Sequence, residues 1–211
     1  MMRTNSPGEI SFGTLRLRLL PTVYEPAEDS FLLATYASSL SGRVLEVGCG
    51  SGIASLSAAQ ASPKNSVLGV DINPAAVECS RQNAGANNLA NAAFRVSDLF
   101  SSVPAGEKFD SILFNPPYLP TTREEKLALE LENAAYDGGA SGLDCFMRFA
   151  AQAPAHLAPG GKIAVIATSL GGGMESTLSE LEKRIGPAKI LAQESFFFEK
   201  IALVQANRAD I

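Results

Sequence analysis

The segment Arg43-Val44-Leu45-Glu46-Val47-Gly48-Cys49-Gly50-Ser51-Gly52 does most to limit what this chain can fold into. An apolar strand runs into a glycine-rich turn and then into an Ala/Ser/Leu helix, the opening of a β-turn-α unit. Glycines let backbone approach a ligand without Cβ clashes, and the helix that follows presents unpaired N–H groups at its start. The dinucleotide fingerprint wants a third glycine one position later, where this chain has Ile53. A pyrophosphate cradle therefore fits poorly, and a smaller adenosine ligand fits better.

Beyond this unit strand and helix alternate, a pattern that builds a mostly parallel sheet between layers of helix. Strands are expected over residues 44–48, 67–71, 92–96, 111–114 and 162–168. Helices are expected over 26–39, after Ser51, and over 74–87, 144–157 and 174–184. A closing antiparallel hairpin is expected from 188–194 and 200–206. Its link, Ser195-Phe196-Phe197-Phe198-Glu199, reads as core or hairpin packing rather than as a base-stacking platform. Leu15-Arg16-Leu17-Arg18-Leu19-Leu20 alternates like an edge strand, and the first dozen residues are expected to be disordered.

A second constraint is Asn115-Pro116-Pro117-Tyr118, which follows the apolar run 109–114 and so falls at the C-terminal end of a buried strand. Open α/β sheets place their chemistry there. The prolines fix φ and remove two backbone donors, leaving a rigid, acceptor-rich turn suited to an incoming NH2 group. On its own the motif could also be a stiffened turn after a core strand. Its surroundings favour chemistry. The strand 66–71 ends in Asp71, about 20 residues after the glycine turn, placed for ribose hydroxyls. The strand 92–96 ends in Ser97-Asp98-Leu99, an acid and a leucine to meet the amine and the face of adenine. Singly, such acids are more often helix caps or turn residues; three strand-end acids in series, Glu46, Asp71 and Asp98, are harder to dismiss.

Composition bounds the rest. With 211 residues, 46% hydrophobic and 18% charged, one soluble domain is the simplest count. Cys49, Cys79 and Cys145 make no metal-ligand spacing, so no metal is expected, and their odd number without a secretory signal predicts reduced thiols in the cytoplasm. No apolar stretch reaches the roughly 20 residues of a membrane span. A net charge of −5 weighs against nucleic acid, although 17 basic residues could still form a patch. Arg123-Glu124-Glu125-Lys126 reads as a solvated helical face, and the single histidine, His156, as a structural residue at a helix end. The 25 or so residues between Tyr118 and Gly142 are long for a connection, which predicts a loop closing over the target.

Together these residues resemble the class I S-adenosylmethionine-dependent methyltransferases from about Val44 to Gln205. The resemblance implies a Rossmann-like α/β fold: a mostly parallel seven-stranded sheet with an antiparallel C-terminal hairpin and helices on both faces. Asn115-Pro116-Pro117-Tyr118 resembles the signature of enzymes that methylate a planar amino nitrogen, on a base or on a glutamine amide. Tyr24-Glu25-Pro26-Ala27-Glu28-Asp29-Ser30 and Ala135-Tyr136-Asp137-Gly138-Gly139-Ala140-Ser141-Gly142 resemble the HemK family of protein-glutamine methyltransferases, and its short archaeal and eukaryotic-type branch above all. Tyr136 stands where many relatives have tryptophan. Only about 43 residues precede the first core strand, so the helical N-terminal domain of bacterial members is not expected. Residues 1–42 form an extension and helix covering the cofactor site, and 43–211 the core.

The resemblance implies S-adenosylmethionine bound by Ser30, Glu46, Gly48, Gly50, Asp71, Asp98 and Leu99, with Glu46 and Gly48 near the methionine end. It assigns catalysis to Asn115, Pro116 and Tyr118, and target binding to Asn115, Pro117 and Tyr118. Glu28 and Asp29 serve equally well as first-turn helix acids and are left out of the site. The implied substrate is the Gly-Gly-Gln glutamine of a class I release factor. A small zinc-binding activator protein beside the strand 92–96 is the implied partner. An enzyme acting on an exocyclic amine of RNA or DNA, and a catalytically silent scaffold, are the rival readings.

Overall fold

The computed structural model describes residues 3–6, 8–118, 142–170, 173–196 and 199–208. The expected closing loop with Tyr136, the Arg123–Lys126 face, and Phe197 and Phe198 lie outside the described residues.

The sheet of seven strands has the order β6-β5-β4-β7-β8-β10-β9, where β4 is Arg43–Val47, β5 Ser66–Asp71, β6 Ala92–Val96, β7 Phe109–Phe114, β8 Leu157–Thr168, β9 Ala188–Ser195 and β10 Lys200–Asn207. Strands β4 to β8 pair in parallel, and β10 runs antiparallel to both β8 and β9. The mostly parallel sheet and the antiparallel hairpin are as expected. Because the inner strands are covered on both sides, they read as continuous apolar runs, and successive residues feed opposite cores. Val44 and Leu113 belong to one buried cluster, Leu45 and Ile112 to the other. Helices α1 (Glu28–Ala37), α2 (Ile53–Ala61) and α3 (Pro74–Ala86) cover the first face through Leu33, Leu56 and Val77. Helices α4 (Asp144–Gln152) and α5 (Gly173–Arg184) cover the second through Phe149 and Leu181.

Gly69, in the middle of β5, shows how tightly the first face is filled. A Cβ there would lie 2.5 Å from the Phe94 ring and 3.1 Å from the Cys49 Cβ.

Three expectations are corrected. The described residues among the first dozen are ordered into strands: β1 (Arg3–Ser6), β2 (Glu9–Phe12) and β3 (Leu15–Arg18) form a small antiparallel sheet. Ile10, Leu15 and Leu17 are buried in the first core. The outer edge of β3 is completed by two asparagines one turn apart on α3. Asn83 Oδ1 accepts from Arg18 N at 2.8 Å while its Nδ2 donates to Arg18 O at 3.1 Å; Asn87 does the same for Arg16, at 3.0 and 2.7 Å. The two amides take the place of a neighbouring strand.

The helix expected over 144–157 stops at Gln152, gives way to a 3-10 turn, Ala153–His156, and leads directly into β8. Pro154 supplies no N–H for a continuing helix. His156 stacks on Phe100, with ring centroids 4.9 Å apart, and its Nδ1 lies 3.2 Å from Glu107 O, a structural role. Phe196, expected to pack, is 41% exposed and instead closes the β9–β10 turn through its N–H, which donates to Glu199 O at 2.7 Å. No helix among the described residues is long and apolar enough to cross a membrane.

Candidate active site

Strands β4, β5 and β6 step outward to one edge, and the chain then returns to lay β7 on the other side of β4. At such a switch point the connections leaving the C-terminal strand ends diverge and open a crevice. A cavity of about 640 Å³ lies there, within the range of small-molecule sites. Every expected site residue lines it: Ser30 on α1, Glu46 and Gly48 at the end of β4, Gly50 in the glycine turn, Asp71 at the end of β5, Asp98 and Leu99 after β6, and Asn115, Pro116, Pro117 and Tyr118 after β7.

The glycine turn owes its shape to its neighbours as much as to its glycines. Gly52 has φ +86, and a Cβ there would meet Ser80 Oγ at 2.9 Å. The Gly50 N–H donates to Asp71 Oδ2 at 2.9 Å, and the Asn73 N–H to Asp71 Oδ1 at 2.9 Å. Asp71 thus ties the glycine turn to the end of β5 through Oδ2 and holds the entry to α3 through Oδ1, and burial raises its carboxyl above the ordinary aspartate value. Glu46, 3% exposed, accepts from both the N–H and the hydroxyl of Ser55, satisfying a free donor in the first turn of α2. Burial pushes its carboxyl up to about 8, against the Ser55 bonds, which pull it down. Cys49, between these acids, has a thiol raised first by burial and then by Asp71 and Glu46, so it is poorly nucleophilic. Leu99 sits at φ +49, a left-handed backbone uncommon for leucine, with its carbonyl accepting from Ser97 Oγ at 2.8 Å.

At the other end of the cavity, Asn115 Nδ2 donates to Asp29 Oδ2 at 2.9 Å. The Tyr24 hydroxyl lies 3.2 and 3.3 Å from the two Asp29 oxygens, and the Tyr118 hydroxyl lies 3.5 Å from Oδ2. Asn115 Oδ1 is buried and has no hydrogen-bond partner among the described residues. The Tyr118 hydroxyl is raised well above the ordinary tyrosine value, first by burial and then by the Asp29 and Glu199 carboxylates. Glu199 enters from the β9–β10 hairpin and accepts from Thr168 Oγ1.

Among the lining residues outside the expected set, four bear on the chemistry: Tyr24, Asp29, Arg148 and Glu199. Asp29 had a signal, its place in the Tyr24–Ser30 segment, but shared it with the reading of a solvated helix acid. At 2% exposure it is no such acid. Arg148 and Glu199 had none, since α4 packing and hairpin closure bring them in. Among the described lining residues six carboxyl side chains face one cation, Arg148. Such a chamber suits a ligand that carries positive charge. No cluster of three or more potential metal ligands occurs among the described residues.

Comparison with known proteins places the chain in a family. Residues 27–137 match the model of the methyltransferase small domain. A Methanocaldococcus jannaschii protein assigned as a protein N5-glutamine methyltransferase is 42% identical over 195 residues, 92% of this chain and 96% of that protein. The release factor glutamine methyltransferase of Geobacter sulfurreducens is 33% identical over 187 residues, 85% of this chain; the chain spans 64% of that protein, just under two thirds. Among solved structures, a methyltransferase from Pyrococcus furiosus superposes with a TM-score of 0.64 at 18% identity, covering 94% of this chain and 91% of that one. At that identity the likeness speaks for the fold.

Proposed function

The chain belongs to the methyltransferase small domain family and is an N-methyltransferase, and from that premise we propose that it methylates the side-chain nitrogen of a protein glutamine with S-adenosylmethionine as donor. The target in this reading is the glutamine of the Gly-Gly-Gln motif of a class I translation release factor. The observation that carries it is Asn115: its amide nitrogen is pinned by Asp29 while its buried oxygen has no partner among the described residues. A buried acceptor left open at a cavity wall costs stability unless a ligand donor fills it. A planar NH2 group is such a donor.

The cavity fits the cofactor in size, in the close backbone approach at the glycine turn, and in its excess of carboxylates. When bound, S-adenosylmethionine supplies a methyl group on a positively charged sulfur. Ser30, Glu46, Gly48 and Gly50 would hold its methionine end, Asp71 its ribose, and Asp98 with Leu99 its adenine. In the same reading residues 1–42 cover the cofactor site and 43–211 form the core.

An amide nitrogen is a poor nucleophile because its lone pair is delocalised into the carbonyl. Asn115 Oδ1 accepts one of its hydrogens and a carbonyl at Pro116 the other, so the lone pair is aimed along the line of attack. Pro117 keeps the turn rigid, and Tyr118 packs against the amide plane. Positioning of this kind contributes up to about 7–11 kcal/mol in favourable systems, and aimed polar contacts several more. No strong base is needed, which accords with His156 stacked on Phe100 rather than lining the cavity.

Two carboxylates at this end, Asp29 and Glu199, favour a protein target over a nucleic acid, whose phosphates they would repel. The activator implied by the resemblance has its place in this reading at β6, the edge strand of the seven-stranded sheet, where Ile72 and Val96 are each nearly half exposed.

The test is transfer of labelled methyl to a purified class I release factor, with total RNA and DNA in parallel, each with and without a candidate activator. Label mapped to the Gly-Gly-Gln glutamine and lost in Asn115→Ala is the expected result. Label in nucleic acid alone would replace this reading with the rival one. Cofactor binding without transfer to any of them would favour a silent scaffold.

A further inference from the structure

Arg148 is the one cation among the described residues lining a cavity that holds six carboxyl side chains. Its Nη2 donates to Asp98 Oδ2 at 2.6 Å, joining α4 to the turn after β6 across 50 residues of sequence. The two side chains are 56% and 46% exposed, and a pair so open to water adds little to stability. Nor is it needed to hold α4 in place. Beneath it Phe149 packs on Phe114 and Phe100, with ring centroids 4.4 and 5.6 Å apart, and all three rings are buried. The ion pair rides on an apolar contact that stands without it.

What the pair does change is Asp98. One carboxylate oxygen is committed to the guanidinium, so the side chain is fixed in direction, and Oδ1 makes no hydrogen bond among the described residues. Leu99 next to it is held in a left-handed backbone, and the turn is tied by Asp98 N to Ser101 Oγ at 3.1 Å and Ser97 Oγ to Leu99 O at 2.8 Å. The carboxylate therefore presents one free, oriented acceptor at the cavity rim.

We propose that Arg148 is a positioning residue for base recognition: by fixing Asp98 it makes the cavity select a purine that offers an amino group over one that offers a carbonyl at the same place. This rests on the reading of the cavity as an S-adenosylmethionine site. A 6-amino group donates to the free oxygen, whereas a 6-oxo group sets oxygen against carboxylate. Once Arg148 is gone, Asp98 turns into solvent and the penalty against the oxo base falls.

The experiment is calorimetric titration of the full chain with S-adenosylhomocysteine and with its hypoxanthine analogue, S-inosylhomocysteine. The variants are Arg148→Ala, Asp98→Asn and, as a control on an exposed neighbour, Met147→Ala. Arg148→Ala is expected to unfold at the wild-type temperature and to lose on the order of tenfold in preference for the adenine ligand, the scale of one charge-assisted hydrogen bond. Asp98→Asn should lose at least as much, and Met147→Ala nothing. If Arg148→Ala does not fold, Arg148→Gln, which keeps most of the stem without the charge, decides on the same ratio. Wild-type preference in the Arg148 variant alongside a loss in Asp98→Asn overturns the proposal and leaves the cofactor reading intact. A wild-type chain that binds neither ligand overturns the cofactor reading, and the proposal with it.

Discussion

Asp29 Oδ2 accepts from Asn115 Nδ2 at 2.9 Å across 86 residues of sequence, and this contact determines which way the Asn115 amide faces. The NH2 end is given to Asp29, which leaves the oxygen to the cavity. The helix α1 thereby sets the polarity of a motif on β7.

Replacing Asp29 with alanine frees that amide to rotate and leaves the Asn115 NH2 without its partner. Turnover should fall by about tenfold to a hundredfold, the cost of misplacing one transition-state hydrogen bond, with a smaller change in the dissociation constant for S-adenosylhomocysteine. Steady-state kinetics beside calorimetry checks this. Equal losses in both would make Asp29 a cofactor ligand instead.

Asn115→Ala removes the open acceptor itself. The chain should fold and bind cofactor nearly as wild type, while kcat drops on the order of a hundredfold or more. Methyl-transfer rates at saturating cofactor measure the drop directly. A loss of cofactor affinity as large as the loss of kcat would remove Asn115 from the role given to it here.

The seven-stranded sheet was legible because its inner strands are covered on both faces: Val44-Leu45 and Ile112-Leu113-Phe114 can be apolar throughout only between two layers of helix. The strand-end residues were legible for the same reason, since a parallel sheet brings all such ends to one side. The amino-terminal sheet was not. Its strands are four residues long, and the groups completing its edge, Asn83 and Asn87, lie 65 and 71 residues away. Arg148 and Glu199 were hidden likewise, one carried by a stack of phenylalanines and the other by hairpin closure. Asp29 was visible in sequence but ambiguous, because a helix acid and a site acid differ only in what buries them.

Asp71 holds the glycine turn through Oδ2 and the Asn73 N–H through Oδ1, so it acts before any chemistry. Asp71→Asn can accept on one side only and places a donor against a donor on the other. The dissociation constant for S-adenosylhomocysteine should rise about tenfold or more, the scale of one lost bond to a charged group, with kcat at saturating cofactor little changed. A variant that binds normally but turns over slowly would move Asp71 out of the ribose role.

Glu46 makes stability depend on pH in a direction opposite to that of a salt-bridged carboxylate. Burial raises its carboxyl from the ordinary 4.5 to about 8, so between these values the unfolded chain releases a proton that the folded chain keeps. Wherever the folded state binds more protons, stability falls as pH rises. The contribution is complete below about 4.5 and is lost by about 8; Asp71, also raised by burial, adds to the same slope. Glu46→Gln keeps an oxygen for the Ser55 N–H and cannot ionise. Denaturant unfolding of the two proteins from pH 5 to pH 8 should show the wild type losing ground to the variant as pH rises. A constant difference across that range would mean that Glu46 is ionised throughout in the folded chain, held so by Ser55 against the cost of burial.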